Sequence, residues 1–156
     1  MNREKKFRGI PKRGYDYSDN TGFVYGCLLI TGTEAAIVRT EDIDLGYKND
    51  DGISSIEDFA FIPVELNSVG EYIGKKTKHG KEIYEGDYLV DRSPINYEDL
   101  SEGYNESLMP VVWCNEKHCW CVDITFDKNG KKLEPIHSYF GEFLEVKGNI
   151  HNTKSI

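Results

Sequence analysis

Long apolar stretches are missing from this chain. Its longest nearly apolar run, FVYGCLLI at residues 23–30, falls far short of the ~20 residues a membrane-spanning helix needs. The amino terminus, MNREKKFRGIPKRG, is basic but has no apolar segment behind it, so it does not read as a secretory signal. Cysteine is scarce: Cys27, Cys114, Cys119 and Cys121 are the only four in 156 residues. A small secreted scaffold held by disulfides carries more, together with a signal peptide. These gaps exclude membrane and secreted classes and predict a cytoplasmic protein with reduced thiols. Basic residues are outnumbered, 19 against 27 acidic, for a net charge of −8. That balance disfavours a general nucleic-acid coat, because phosphate binding needs positive surface. Gly-x-Gly-x-x-Gly, P-loop and His-Glu-x-x-His patterns are absent as well, and with them the commonest local signatures of cofactor and metal chemistry.

Enough apolar residues remain to bury a core. Leu, Ile, Val and Phe make up 39 of the 156 residues, above the range in which disorder is expected. A chain of this length forms one domain, 1–156, with two sub-parts at 1–66 and 67–156. Helical periodicity is rare. β-Formers come in short runs between glycine-rich turns, at residues 23–30, 35–39, 59–66, 69–73, 82–84, 88–90, 111–114 and 119–126. Pro63 lies inside one of them and marks a sheet edge or a break, since it cannot donate to a ladder. Residues 40–57 are acidic and glycine-punctuated, with a turn at 49–52 and one helical turn near Ser55. Residues 91–110 are polar and read as a surface insertion. Residues 111–114, a turn at 115–118 and residues 119–126 read as a β-hairpin, and Asn129-Gly130 signals a further one. The predicted fold is mainly β: a small β-barrel-like sheet with an irregular N-terminal part and little helix.

Candidate chemistry is thin. Cys114, His118, Cys119 and Cys121 lie within eight residues, and thiolate with imidazole is a zinc-ligand set. No second ligand pair accompanies them. Period two puts Cys119 and Cys121 on one face of a strand and Trp120 and Val122 on the other. These are therefore expected to be sheet cysteines, with no metal and no cofactor. His79, His118, His137 and His151 are scattered and form no nucleophilic signature. Glu82, Glu85 and Asp87 cluster at one turn, where Asp87 is expected to hydrogen-bond the turn backbone. No catalytic residue is expected.

Residues 69–87 read VGEYIGKKTKHGKEIYEGD. This resembles the YopX family of phage and prophage proteins, whose core pairs a Val-Gly-Gln-Tyr-Thr-Gly motif with a lysine-rich turn and Asn-Gly-Lys-Glu-Ile-Tyr-Glu-Gly-Asp. Lys6-Phe-Arg-Gly9, Gly22-Phe-Val-Tyr-Gly26 and Val146-Lys-Gly-Asn-Ile150 are similar to other motifs of the family, in the same order. The chain departs from the pattern at Glu71, at His79 and in its tail, residues 151–156. The resemblance implies a cytosolic, phage-derived, mostly β protein and brings no catalytic residues with it. Its matched residues, Gly80, Glu82, Ile83, Tyr84, Glu85, Gly86 and Asp87, read as turn and core formers, with Leu89 and Val90 buried behind them.

The predicted function is a non-enzymatic protein-binding or assembly module, for which ten tyrosines offer contact area at low entropic cost. A homo-oligomer is compatible with the same reading. The alternative is a nucleic-acid-binding accessory protein. Its contacts would be Lys75, Lys76, Lys78 and Lys81, with Arg3, Lys5, Lys6 and Arg8 in a second basic stretch.

Overall fold

A computed structural model describes residues 5–15, 19, 21–39, 61–104, 106–124, 132–139 and 143–151. The expected turn and helical turn within 40–57, the Asn129-Gly130 hairpin signal, Arg3 and most of the tail lie outside the described residues. The chain divides into two compact units, Met1–Glu71 and Tyr72–Ile156.

In the first unit, β1 (Phe7–Gly9), β2 (Val24–Thr31), β3 (Glu34–Val38) and β4 (Phe61–Val64) pair antiparallel in the order β4-β3-β2-β1. Thr31 faces Glu34 across β2–β3, which leaves a two-residue turn at Gly32 and Thr33. Gly32 has φ of 63°, the positive value that such a turn demands and that glycine adopts without a Cβ clash. Alternation along β3 sends Ala35 and Ile37 inward, where they meet Val24, Ile62 and Val64. Pro63 lies on β4, the outer strand of this set, as its missing donor predicts, and its carbonyl accepts from the Lys12 amide at 2.9 Å. The short strand β1 was not apparent in the sequence, because three residues are too few to display a period. Its Arg8 is buried, with the guanidinium 4.4 Å from the centre of the Phe23 ring, in cation–π range.

The unit boundary runs through β5 (Gly70–Lys76). Gly70 and Glu71 pair with β1, while Tyr72 and Lys76 pair with β6 (Glu82–Tyr84). The sequence placed the division after residue 66, at the end of an extended run; strand pairing moves it five residues on. The second unit continues with β7 (Asp87–Asp91), β8 (Leu108–Cys114), β9 (Cys119–Asp123), β10 (Leu133–Pro135) and β11 (Leu144–Asn149). Five of these form an antiparallel sheet in the order β10-β9-β8-β7-β11. Its core gathers Ile73, Ile83, Leu89, Met109, Val111, Trp120, Val122, Ile136 and Leu144.

The fold is mainly β, with one sheet curled as a half-barrel and a second sheet. Helical structure among the described residues is confined to three single 3₁₀ turns, Leu66–Ser68, Leu100–Glu102 and Ile136–Ser138. No described helix is long and apolar enough to cross a membrane. Two segments are more regular than the sequence indicates. β5 extends to Lys76, so the lysine-rich connector shrinks to a turn at residues 77–80, closed by Thr77 N–H to Lys81 O and Gly80 N–H to Thr77 O, both 2.9 Å. Residues 108–110, read as part of the polar insertion, begin β8, where Tyr88, Leu89 and Val90 face them.

Candidate interaction surface

The most legible stretch of the sequence becomes the most constrained piece of the second unit. Ile83, Tyr84, Leu89 and Val90 are all buried. The β6–β7 turn is held by Asp87, itself buried, whose Oδ2 accepts the Tyr84 amide at 2.9 Å. Gly86 sits in that turn at φ of 80°. Its N–H donates to Val111 O and its carbonyl accepts from Ile150 N–H, each at 2.9 Å. A Cβ at Gly86 would approach the Ile150 side chain to 3.2 Å. Tyr72 and Tyr84 pack with ring centres 5.6 Å apart, and the Tyr84 hydroxyl donates to Glu82 at 2.7 Å. Gly86, Asp87, Tyr72, Tyr84 and Glu82 are thus engaged within the turn and its packing.

The four candidate lysines differ in their surroundings. Lys75 Nζ donates to the carbonyls of Ile136 and Tyr139 at 2.9 and 3.3 Å, and burial lowers its pKa from the usual lysine value. Lys76 lies 3.5 Å from Glu82. Lys78 and Lys81 remain exposed around Gly80, which closes the turn at φ of 79°. In the other basic stretch, Lys5 pairs with Glu71 at 2.7 Å, Arg8 is buried, and Lys12 forms an ion pair with Glu34.

The loop from β7 to β8 behaves differently. Its ends are joined by the Val90–Leu108 pair, and between them the chain is tied by its own polar groups. Ile95 N–H donates to Gly103 O at 3.1 Å, and Pro94 bridges Tyr104. Asp99 accepts the amide and hydroxyl of Ser101 at 3.0 and 2.6 Å, which caps the turn Leu100–Glu102 and holds the Asp99 carboxyl below its usual pKa. Asn96 accepts from Glu98 N–H at 2.9 Å and donates to Glu102 at 3.2 Å. Arg92 anchors the loop base through Glu106 and Glu145. With the polar groups facing one another, four large apolar side chains face water: Ile95 at 57% exposure, Tyr97 at 68%, Leu100 at 57% and Tyr104 at 49%. Exposed Glu98, Asp99, Glu102 and Glu106 are interleaved with them. Sequence reasoning located this segment as a surface insertion but missed the apolar display, because Ile, Leu and Tyr spaced two to four apart carry no recognisable period.

Residues 6–155, nearly the whole length, match the YopX protein family. The chain belongs to that family. No curated protein matches it.

The YopX assignment leaves the β8–β9 hairpin without a role. Cys114 faces Cys119 across it, Trp113 faces Trp120, and Cys121 faces Val112. The two indoles meet edge to face at 5.1 Å. Period two places Cys119 and Cys121 on one side, as expected, with their Sγ atoms 3.8 Å apart. Trp120 Nε1 is buried without a hydrogen-bond partner among the described residues. A cleft of about 580 Å³ opens at the hairpin tip, lined by Trp113, Cys114, Lys117 and Lys132 among others. His118, at φ of 49°, is exposed in the turn. Among the described residues no group of three His, Cys, Asp or Glu side chains is arranged to hold a metal ion. Tyrosine divides between roles: Tyr72 and Tyr84 are core, while Tyr15, Tyr97 and Tyr104 are exposed.

Proposed function

We propose that this phage- or prophage-derived YopX protein is a non-enzymatic binding module of the host cytoplasm that grips a protein partner through residues 92–107. The observation that carries the reading is the exposure of Ile95, Tyr97, Leu100 and Tyr104 on a loop whose backbone is fixed by its own hydrogen bonds. Large apolar side chains held in water in one place are the mark of a contact surface, and a pre-formed loop loses little entropy on binding. Of the interleaved carboxylates, Asp99, Glu102 and Glu106 bond within the protein, and Glu98 favours a partner whose apolar contact surface carries a basic group. Anionic polymers on the lysine turn have weaker support, since Lys75 is turned inward onto carbonyls and Lys76 faces a carboxylate.

The test is a photo-crosslinking amino acid at Tyr97 in the full chain, expressed in host cells. A discrete adduct is expected that disappears in Leu100→Ser and weakens in Glu98→Lys, while the urea midpoint is unchanged. Adducts that survive both variants, or no adduct at all, would overturn the reading.

A further inference from the structure

We propose that the β8–β9 hairpin is a thiol–disulfide exchange site, at which Cys114 and Cys119 are joined by reaction with a small disulfide of the glutathione class. The site lies outside the loop at 92–107 and does not depend on the binding role proposed for it.

Register makes the bond geometrically accessible. Cys114 and Cys119 are direct cross-strand partners. Such partners have Cα atoms about 4.5–5.5 Å apart, inside the roughly 4.4–6.8 Å range of disulfides. Cys119 and Cys121 have the closer sulfurs, but two residues along one strand span about 6.6 Å, at the limit of that range. Their contact is therefore packing and hydrogen bonding.

The three sulfurs differ in what they can do. Cys119 is partly exposed and Cys121 fully buried. Burial, then the neighbouring Cys119, push the Cys121 thiol up to about 12. It keeps its proton and can donate it toward a thiolate at Cys119. Cys114, although buried, forms part of the wall of the cleft, beside Glu116, Lys117 and Lys132.

The exchange balances in two steps. The Cys119 thiolate attacks one sulfur of the small disulfide, forms a mixed disulfide and releases one small thiolate, which takes up the proton that Cys119 gave. Cys114 then loses its proton, attacks the Cys119 sulfur and expels the second small thiol. Two protein S–H groups become one S–S bond, and the two electrons leave with the small molecule, reduced to two thiols. Cys27 supplies an internal control. It is exposed on β2 with Val38 opposite it, so its reaction stops at the mixed disulfide.

The experiment uses the full chain with oxidised glutathione, an acid quench, alkylation of remaining thiols and tryptic peptide mass spectrometry. Trypsin cuts after Lys117, so a Cys114–Cys119 bond links two peptides, whereas a Cys119–Cys121 bond lies within one. The expected result is the linked pair, assigned by fragmentation, with glutathione retained on Cys27. In Cys114→Ser, Cys119 should instead retain glutathione. If that variant does not fold, the wild-type map decides alone. Recovery of Cys114 and Cys119 as alkylated thiols while Cys27 is glutathionylated would overturn the proposal, as would a bond from Cys121 to either.

Discussion

Residues 82–91 and residues 92–107 follow one another in the chain and are built on opposite terms. In the first, the strands β6 and β7 turn their apolar side chains inward, and the one buried carboxylate, Asp87, holds the turn backbone. In the second, polar side chains hold the backbone and the large apolar ones face water. The first segment has the clearest sequence motif, yet folding consumes its chemistry. The second has no motif, and its large apolar side chains are left available. A recognisable motif marks residues that the fold requires, and these need not be the residues that meet a partner.

Mutation should separate the two segments by the size of its effect on stability. Leu89→Ala removes a fully buried side chain from the core of the second unit and should cost about 3 kcal/mol, read as a lowered urea midpoint at constant slope. Asp87→Ala leaves the buried Tyr84 amide without its acceptor, with an expected loss of about 2 kcal/mol. A midpoint within error of wild type for either would mean that the motif is not the structural anchor described.

Gly86→Ala should cost about 1–2 kcal/mol, since alanine resists a positive φ and its Cβ would press on Ile150. Combining it with Ile150→Ala sharpens the assignment. If crowding dominates, the penalty for Gly86→Ala should shrink in that background; if backbone conformation dominates, it should persist. On the loop, Tyr97→Ser and Leu100→Ser should change stability by less than about 0.5 kcal/mol, because both side chains are already in water. A large loss there would show that the loop's apolar residues serve folding after all.

The smallest expected effect is on pH dependence and carries only a sign. Asp99 is held below the usual carboxylate range by Ser101, Glu134 by Lys132 and then Tyr139, and Glu145 by Lys147 and then Arg92. An acid whose folded pKa is depressed contributes stability above its unfolded value and loses it as pH falls through the folded one. Denaturation midpoints should therefore decline below the ordinary carboxylate range, near pH ~4. Glu145→Gln should flatten part of that decline. Asp99→Asn should flatten it too if the loop titrates together with the fold, and should leave it unchanged if the loop opens separately.

Much of the strand pattern could be read in advance because it is local. Alternation along residues 35–38 and 119–122, the glycine turn at residue 86 and the edge position of Pro63 follow from sterics between near neighbours in the chain. The sequence likewise determined that Cys119 and Cys121 share a face. It also placed Cys114 and Cys119 on either side of a hairpin turn at 115–118, and they pair directly across it. It did not show that Lys75, grouped by sequence with three exposed lysines, reaches carbonyls more than sixty residues away, or that Arg8, in a basic run, packs on Phe23. Burial is decided by which distant segment returns to cover a residue, and composition does not record that return. For the same reason the apolar side chains of residues 92–107 gave no warning in the sequence: only the folded chain leaves about half or more of each one facing water.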